Sequence, residues 1–407
     1  MLTFKQYLTE AKEGKNLHLE HLEDEVLNNG INGTRGAINF LQSLRDMLAG
    51  NAKRSINVTV KWDGAPAVFA GINPENGKFF VGTKGVFNKT PKVNYTNADI
   101  DANHPSGGLN EKLKVALKYL PKLGIKNVLQ GDMLFTKDDL STENIDGISY
   151  TTFQPNTITY AVPKESSDPI KKSKMGIVWH TTYTGETLQS MRASFGANIS
   201  GLTKTSDVWF TDADYKDTSG TVNFNKSETD KITAVLSLAG KTFRNMKSNF
   251  MNQLMSREDI VILIKTFNNT KVREGQAISN TSRHTSDMIK WMDVKFQKNI
   301  DSVKTPKAKQ AKQKTKDEVM RFLSSHKKDL QTIFDMQNHL VVAKNMVIRK
   351  LESARGVMDT FIRTDNGYRV TPAEGFVAID QIGNAVKLVD RMEFSRANFN
   401  AAKNWTK

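Results

Sequence analysis

Ser55-Ile56-Asn57-Val58-Thr59-Val60-Lys61-Trp62-Asp63-Gly64-Ala65-Pro66-Ala67-Val68-Phe69-Ala70 is the stretch on which the fold turns. Ile56, Val58 and Val60 alternate with polar residues, the two-residue period of a half-buried strand. Lys61 ends that strand, and Asp63-Gly64 supplies a turn before a second apolar run, Ala67 to Ala70. A lysine at the mouth of a strand, followed at once by a tight turn, is held rigidly toward whatever the turn encloses. Where neighbouring cations disfavour its charged form, its neutral amine is a nucleophile. The same residues also describe a strand ending in a solvated lysine before an ordinary Asp-Gly hairpin, so the choice rests on the remainder of the chain.

The chain has 407 residues, room for one large domain with an insertion or for two to three ordinary ones. A hydrophobic fraction of 38%, with 21 Phe and 5 Trp, supports a real core. A net charge of +15 favours polyanionic partners, nucleic acid first. The absence of cysteine excludes disulfides, thiolate zinc sites and Cys nucleophiles. No apolar run approaches the roughly 20 residues of a membrane span, and the N-terminus lacks a secretory apolar region.

Residues 17–29 read as an acidic helix closed by Gly30. Its His18, Glu20, His21 and Glu23 are read as a solvated face rather than a metal site, because the histidines lack the i, i+4 spacing of a helical pair. Thr34 is expected to cap a helix running to about Ala49, with Ile38, Leu41, Leu44 and Leu48 as its buried stripe. Strands are expected at Lys78 to Thr83, Val128 to Phe135, Thr157 to Val162 and Gly176 to Thr182, with a helix near 109–120. From about residue 227 the period becomes helical over 228–248, 257–267, 283–298 and 316–354. Lys304, Lys307, Lys309, Lys312, Lys314 and Lys316 precede the last of these with no acid among them. Such a run is either a solvated linker or a surface for phosphates. Strand patterns return at Thr360 to Arg363, Glu374 to Asp380 and Asn384 to Arg391. The expected organisation is an α+β domain in two parts, 12–226 and 359–407, interrupted by a basic helical insertion at 227–358.

Four signals stand in order: Lys61-Trp62-Asp63-Gly64, Gly131-Asp132-Met133-Leu134-Phe135, Glu374-Gly375-Phe376-Val377 and Ala385-Val386-Lys387-Leu388-Val389. This set resembles the covalent nucleotidyltransferase superfamily of ATP-dependent DNA and RNA ligases and mRNA capping enzymes. Those proteins carry K-x-D-G, an acid in a strand, E-G-x-V and a lysine-bearing final strand in this order. The resemblance implies the antiparallel adenylation-domain fold, ATP as the nucleotide, and Mg²⁺ or Mn²⁺. It implies that Lys61 forms the phosphoramidate bond to AMP and that Lys387 contacts the α-phosphate. Glu374 would hold the metal, Asp132 would take hydrogen bonds from the ribose, and Asp63 and Gly64 would shape the nucleotide pocket. Lys84 would meet ribose or a nucleic-acid strand, and Tyr160, with Trp179 behind it, is the candidate plate under adenine, although both read first as ordinary core aromatics. The sequence departs from the pattern at Asp132, where Glu is usual, and at Val389, where a second lysine is common. About twenty residues follow Lys387, too few for a C-terminal OB domain. The implied activity is therefore that of an RNA-ligase-like enzyme sealing 3′-OH and 5′-phosphate ends of RNA or DNA, its insertion gripping nucleic acid through the lysine run.

Residues 1–11, MLTFKQYLTEA, form a short amphipathic stretch. It reads as a first helix docking on the body, but it also resembles the capsid-targeting leaders of internal head proteins in T-even-like phages. Leu8-Thr9-Glu10 before Ala11 fits the aliphatic-x-Glu cleavage site of such leaders. The resemblance implies a phage protein of the host cytoplasm that a head scaffold packages through residues 1–10. A packaged, DNA-binding head protein that does not seal ends is the alternative to the ligase.

Overall fold

The computed structural model describes residues 20–51, 57–105, 107–215, 222–353, 358–364, 367–372, 374–379 and 385–395. The leader-like segment 1–11 and His18 lie outside the described residues. In chain order the strands are β1 (Asn57–Lys61), β2 (Ala67–Ile72), β3 (Phe79–Gly82), β4 (Val128–Thr136), β5 (Ser141–Ile145), β6 (Ile148–Phe153) and β7 (Ile158–Pro163). They continue with β8 (Met175–Thr184), β9 (Arg192–Phe195), β10 (Val208–Asp212), β11 (Asp359–Thr364), β12 (Gly367–Val370), β13 (Gly375–Ile379) and β14 (Ala385–Leu388). The longer helices are α1 (Gly30–Leu48), α2 (Asn97–Asn103), α3 (Gly108–Tyr119), α4 (Lys226–Asn245) and α5 (Ser248–Met255). After them come α6 (Glu258–Arg273), α7 (Thr281–Asp301), α8 (Pro306–Ser325) and α9 (Lys327–Leu351).

The fold is mixed α+β with predominantly antiparallel sheets. A central six-stranded sheet runs β10-β8-β4-β2-β3, with β9 beside β8, and its β10–β8 pair is parallel. One face of this sheet, through Val68, Ala70, Leu129, Met133, Ile177 and Trp179, packs on α2 and α3. Leu134, Phe135 and Val178 instead meet Phe153, Ile158, Tyr160 and Val162 of the five-stranded sheet β12-β11-β7-β6-β5. The third sheet, β1-β13-β14, lays Phe376, Ala378, Val386 and Leu388 against the helices. Asp63-Gly64 is not a hairpin turn, because β1 and β2 belong to different sheets.

The helices depart from the expected insertion. α1, with Leu41 and Leu44 fully buried, shares one core with α4 through α9 and the β1-β13-β14 sheet, so the boundary at 226 does not separate two cores. An apolar stripe on an N-terminal helix needs a partner, and the helices after 226 supply it. Thr34 is not a cap either. It lies inside α1, donating its hydroxyl to Gly30 O at 2.8 Å. The expected 316–354 helix breaks at His326 into α8 and α9. From Lys307 onward the lysine run is helical rather than a linker. Thr305 accepts the Ala308 N–H and Pro306 occupies the first turn of α8, two ordinary helix-start devices.

The acidic run at the described N-terminus is not a solvated face. Glu23 is buried and ion-paired with the buried Lys344 of α9 at 2.8 Å. Asp24 pairs with Arg391 at 3.2 Å. Just before them, His21 bridges Lys387 in parallel, and Glu20 O accepts the Lys387 N–H at 3.3 Å. The first described residues thus extend the sheet at the strand that carries Lys387. Among the described residues no helix is long and apolar enough to cross a membrane.

Candidate functional site

Pairing of β1 with the sequence-distant β13 and β14 brings two lysines to one surface. In the antiparallel register Thr59 faces Val377, and Val377 faces Lys387, so all three side chains share a face of the sheet. Lys61 is two residues beyond Thr59 and projects from that same face. The opposite face is the apolar one that lies on the helices. Lys61 Nζ is ion-paired with the Glu374 carboxylate, whose side chain is 8% exposed against 26% for the lysine. Burial pushes the Glu374 carboxyl up, Lys61 pulls it down, and Asp63 and Asp132 push it up again. Lys387 is pushed below the usual lysine range by burial and then by the charge of Lys61.

Glycines allow the close packing. Gly375 lies opposite Lys61 at φ +142°, and a Cβ there would meet Leu388 O at 2.5 Å. A Cβ on Gly64 would meet the Asp132 Cβ at 2.6 Å and Met133 O at 3.1 Å. The Asp-Gly turn therefore rests directly on β4, tied to it by Ala65 N–H to Met133 O at 2.9 Å. Gly64→Ala must displace the turn or β4. We expect destabilisation of about 1–3 kcal/mol, checked by chemical denaturation, and a fall of about a hundredfold in any chemistry at Lys61.

Asp63 and Tyr160 have roles other than those expected. The Asp63 carboxylate accepts from Asn156 Nδ2 at 2.7 Å and from the backbone N–H groups of Thr157 and Ile158 at 2.6 and 2.8 Å. Its own N–H donates to the Tyr160 hydroxyl at 2.7 Å. Burial raises its carboxyl, and the three donors oppose that rise. Asp63 thus clamps the Lys61 turn to the start of β7. Tyr160 is buried and stacks on both Trp62 and Phe153, at centroid distances of 5.2 and 5.5 Å. A ring covered in this way has no free face for adenine, and Trp179 is fully buried as well. Both aromatics are core residues, the first of the two readings the sequence offers for them, and neither has a face for adenine.

Asp132 is a quarter exposed on β4, beside the turn. His180 of β8, absent from every motif, lies 3.7 Å from it. Lys84 is exposed in the 3-10 turn after β3, at the sheet end where Ala67 faces Asp132. Lys304, Lys307, Lys309 and Lys314 are exposed, remote in sequence, on or just before α8. Lys312 is half-buried, and Lys316 is engaged with Asp293 and Gln297 of α7, each at 3.0 Å.

Among the described residues no group of three or more His, Asp or Glu is placed to hold a metal ion. A magnesium-nucleotide site does not need such a cage, because one carboxylate plus substrate phosphates suffices. Glu374 fits that requirement if the ion takes the place Lys61 now occupies.

A mixed α+β scaffold thus carries two lysines on one sheet face, one of them ion-paired with a carboxylate, and a second acid on the neighbouring sheet. The chain belongs to a family of unknown function, DUF6267, whose model matches residues 16–403. No curated protein and no solved structure matches it.

Proposed function

We propose that the protein is a nucleotidyltransferase of the polynucleotide-ligase type, with Lys61 as its nucleophile. The observation that carries this reading is the convergence of Lys61, Glu374 and Lys387 from segments more than 300 residues apart, with Asp132 electrostatically coupled to Glu374. In the first step the Lys61 amine attacks the α-phosphorus of ATP. A P–N bond forms, the bond to the bridging oxygen breaks, pyrophosphate leaves, and the amine loses a proton. Lys387, on the same sheet face, meets the negative charge that grows on the α-phosphate. A divalent ion, held by Glu374, would neutralise phosphate charge. The AMP then passes to a 5′-phosphate end, and a 3′-OH displaces it to close the strand. Label from α-labelled ATP or GTP remaining on the denatured protein tests the first step. Joining of a nicked or single-stranded substrate tests the last.

α8 supports nucleic acid as the partner. Its first turn holds Lys307 and no acid, at the positive pole of the helix dipole, where cations are unfavourable. A polyanion would relieve that repulsion. Changing Lys304, Lys307, Lys309 and Lys314 to Gln is expected to weaken binding and end joining while Lys61 labelling persists. The log–log salt slope should shrink by about 0.7 to 0.9 for each phosphate that is no longer neutralised, and an unaltered slope would remove α8 from the interface. The same exposed lysines suit the second reading, a packaged DNA-binding protein that uses the scaffold without sealing ends. Label on Lys61 without joining of any substrate would favour it.

A further inference from the structure

We propose that His180 reads the sugar: with Asp132 it forms a two-point seat for a ribose 2′-hydroxyl and makes the site selective for ribonucleotides. This rests on the nucleotidyltransferase reading and adds to it a residue outside the four motifs. Gln130 pairs with Thr181, but the next residue, Gly131, pairs with Trp179. β8 therefore has one residue more than β4 at this point, and that residue is His180. Bulges of this kind re-aim a side chain. The position is fixed on both sides, because Gly196 N–H donates to His180 O at 2.8 Å and Nδ1 lies 2.8 Å from Thr181 Oγ1.

Nε2 faces the Asp132 carboxylate, so the tautomer with its proton on Nε2 avoids setting a lone pair against a negative oxygen. The Thr181 hydroxyl then donates to Nδ1. The 3.7 Å gap between Nε2 and Asp132 Oδ2 is too long for a hydrogen bond between them. A hydroxyl oxygen standing beside the gap reaches both atoms at about 2.8 Å. It accepts from Nε2–H and donates to the carboxylate, a double role that a deoxy carbon cannot play. His180 and Asp132 are 27% and 24% exposed. Tyr160 and Asp63 are buried and occupied with each other, whereas this pair is open to a ligand.

The 2′-hydroxyl belongs either to the nucleotide or to a strand end, and two assays separate the two sources. Wild type, His180→Ala and His180→Gln are compared for self-labelling by ATP and 2′-deoxy-ATP, and for joining of ribose- and deoxyribose-ended strands. Wild type is expected to prefer ATP by about ten- to a hundredfold. His180→Ala should lower labelling by ATP more than by 2′-deoxy-ATP and collapse that ratio. His180→Gln, whose amide nitrogen reaches toward the Nε2 position, should keep most of it. The ratio is internal to each sample, so partial unfolding scales both labels alike. A collapse seen with strand ends instead assigns the seat to the nucleic acid's ribose. Ratios unchanged by His180→Ala in both assays overturn the proposal. A wild type that takes label from neither nucleotide removes the parent reading, and this one with it.

Discussion

Lys61→Ala should take no label from α-labelled ATP or GTP under conditions where wild type is labelled with Mg²⁺ or Mn²⁺. The loss should be complete, because no other lysine among the described residues stands where the Glu374 carboxylate and Lys387 flank it. The wild-type adduct should survive base and be lost in acid, as a P–N bond to lysine is. Lys387→Ala should label more slowly by about a hundred- to a thousandfold, the usual effect of removing one group that meets transition-state charge. Equal labelling of Lys61→Ala and wild type would end the nucleotidyltransferase reading.

The second large effect concerns stability. Lys344→Ala leaves the Glu23 carboxylate buried without its cation, which should cost about 3–5 kcal/mol in denaturant titrations. Replacing both partners by apolar residues of similar volume should cost much less, because no bare charge remains. If Lys344→Ala and the double variant are equally stable, the pair contributes nothing beyond packing. Acid should probe the same cluster. Burial pushes His21 down to about 3 from an ordinary value near 6.5, so the folded form binds fewer protons there. Its contribution is complete above pH 6.5 and is lost as pH falls toward 3. Burial pushes Glu23 up, but Lys344, followed by His21 and Arg391, pulls harder and holds it low, so it acts in the same direction. Asp24 has the opposite sign: burial raises it to about 6, and its contribution fades as pH rises from 3.8 through 6. His21→Gln should therefore flatten the acid limb of the stability profile between pH 6.5 and 3.

The strands that build the site are legible in the sequence because their patterns are local. β1 alternates, β4 sets apolar residues on either side of Gln130-Gly131-Asp132, and both lie within a residue or two of the expected bounds. The β5–β6 hairpin hides, since Ser141-Thr142-Glu143-Asn144 is polar throughout. Yet the Asp146-Gly147 pair, with φ of 51° and 83°, is a strong short-range hairpin signal. Lys61, Asp132, Glu374 and Lys387 stand out through ordered motifs. His180 cannot, because a bulge depends on the register of two strands and leaves no mark in either. Tyr160 is legible as a core aromatic, but a strand residue does not announce which rings will cover it. The acidic run at 20–25 misleads, its main partner Lys344 being 321 residues distant.

The pairing of β1 with β13 sets a clock on synthesis. Thr59 meets Val377, a residue 318 positions later in the chain. At about 5–20 residues per second, β1 waits roughly a quarter of a minute to a minute for the strand that completes its sheet. Through that interval Val58 and Val60 lack the β13 neighbour, and Lys61 has neither its carboxylate partner nor Lys387. A ribosome-bound chain that has not yet reached β13 therefore holds Lys61 in an unassembled sheet. The Lys61 face of the sheet is completed only once the chain through β13 and β14 has been made.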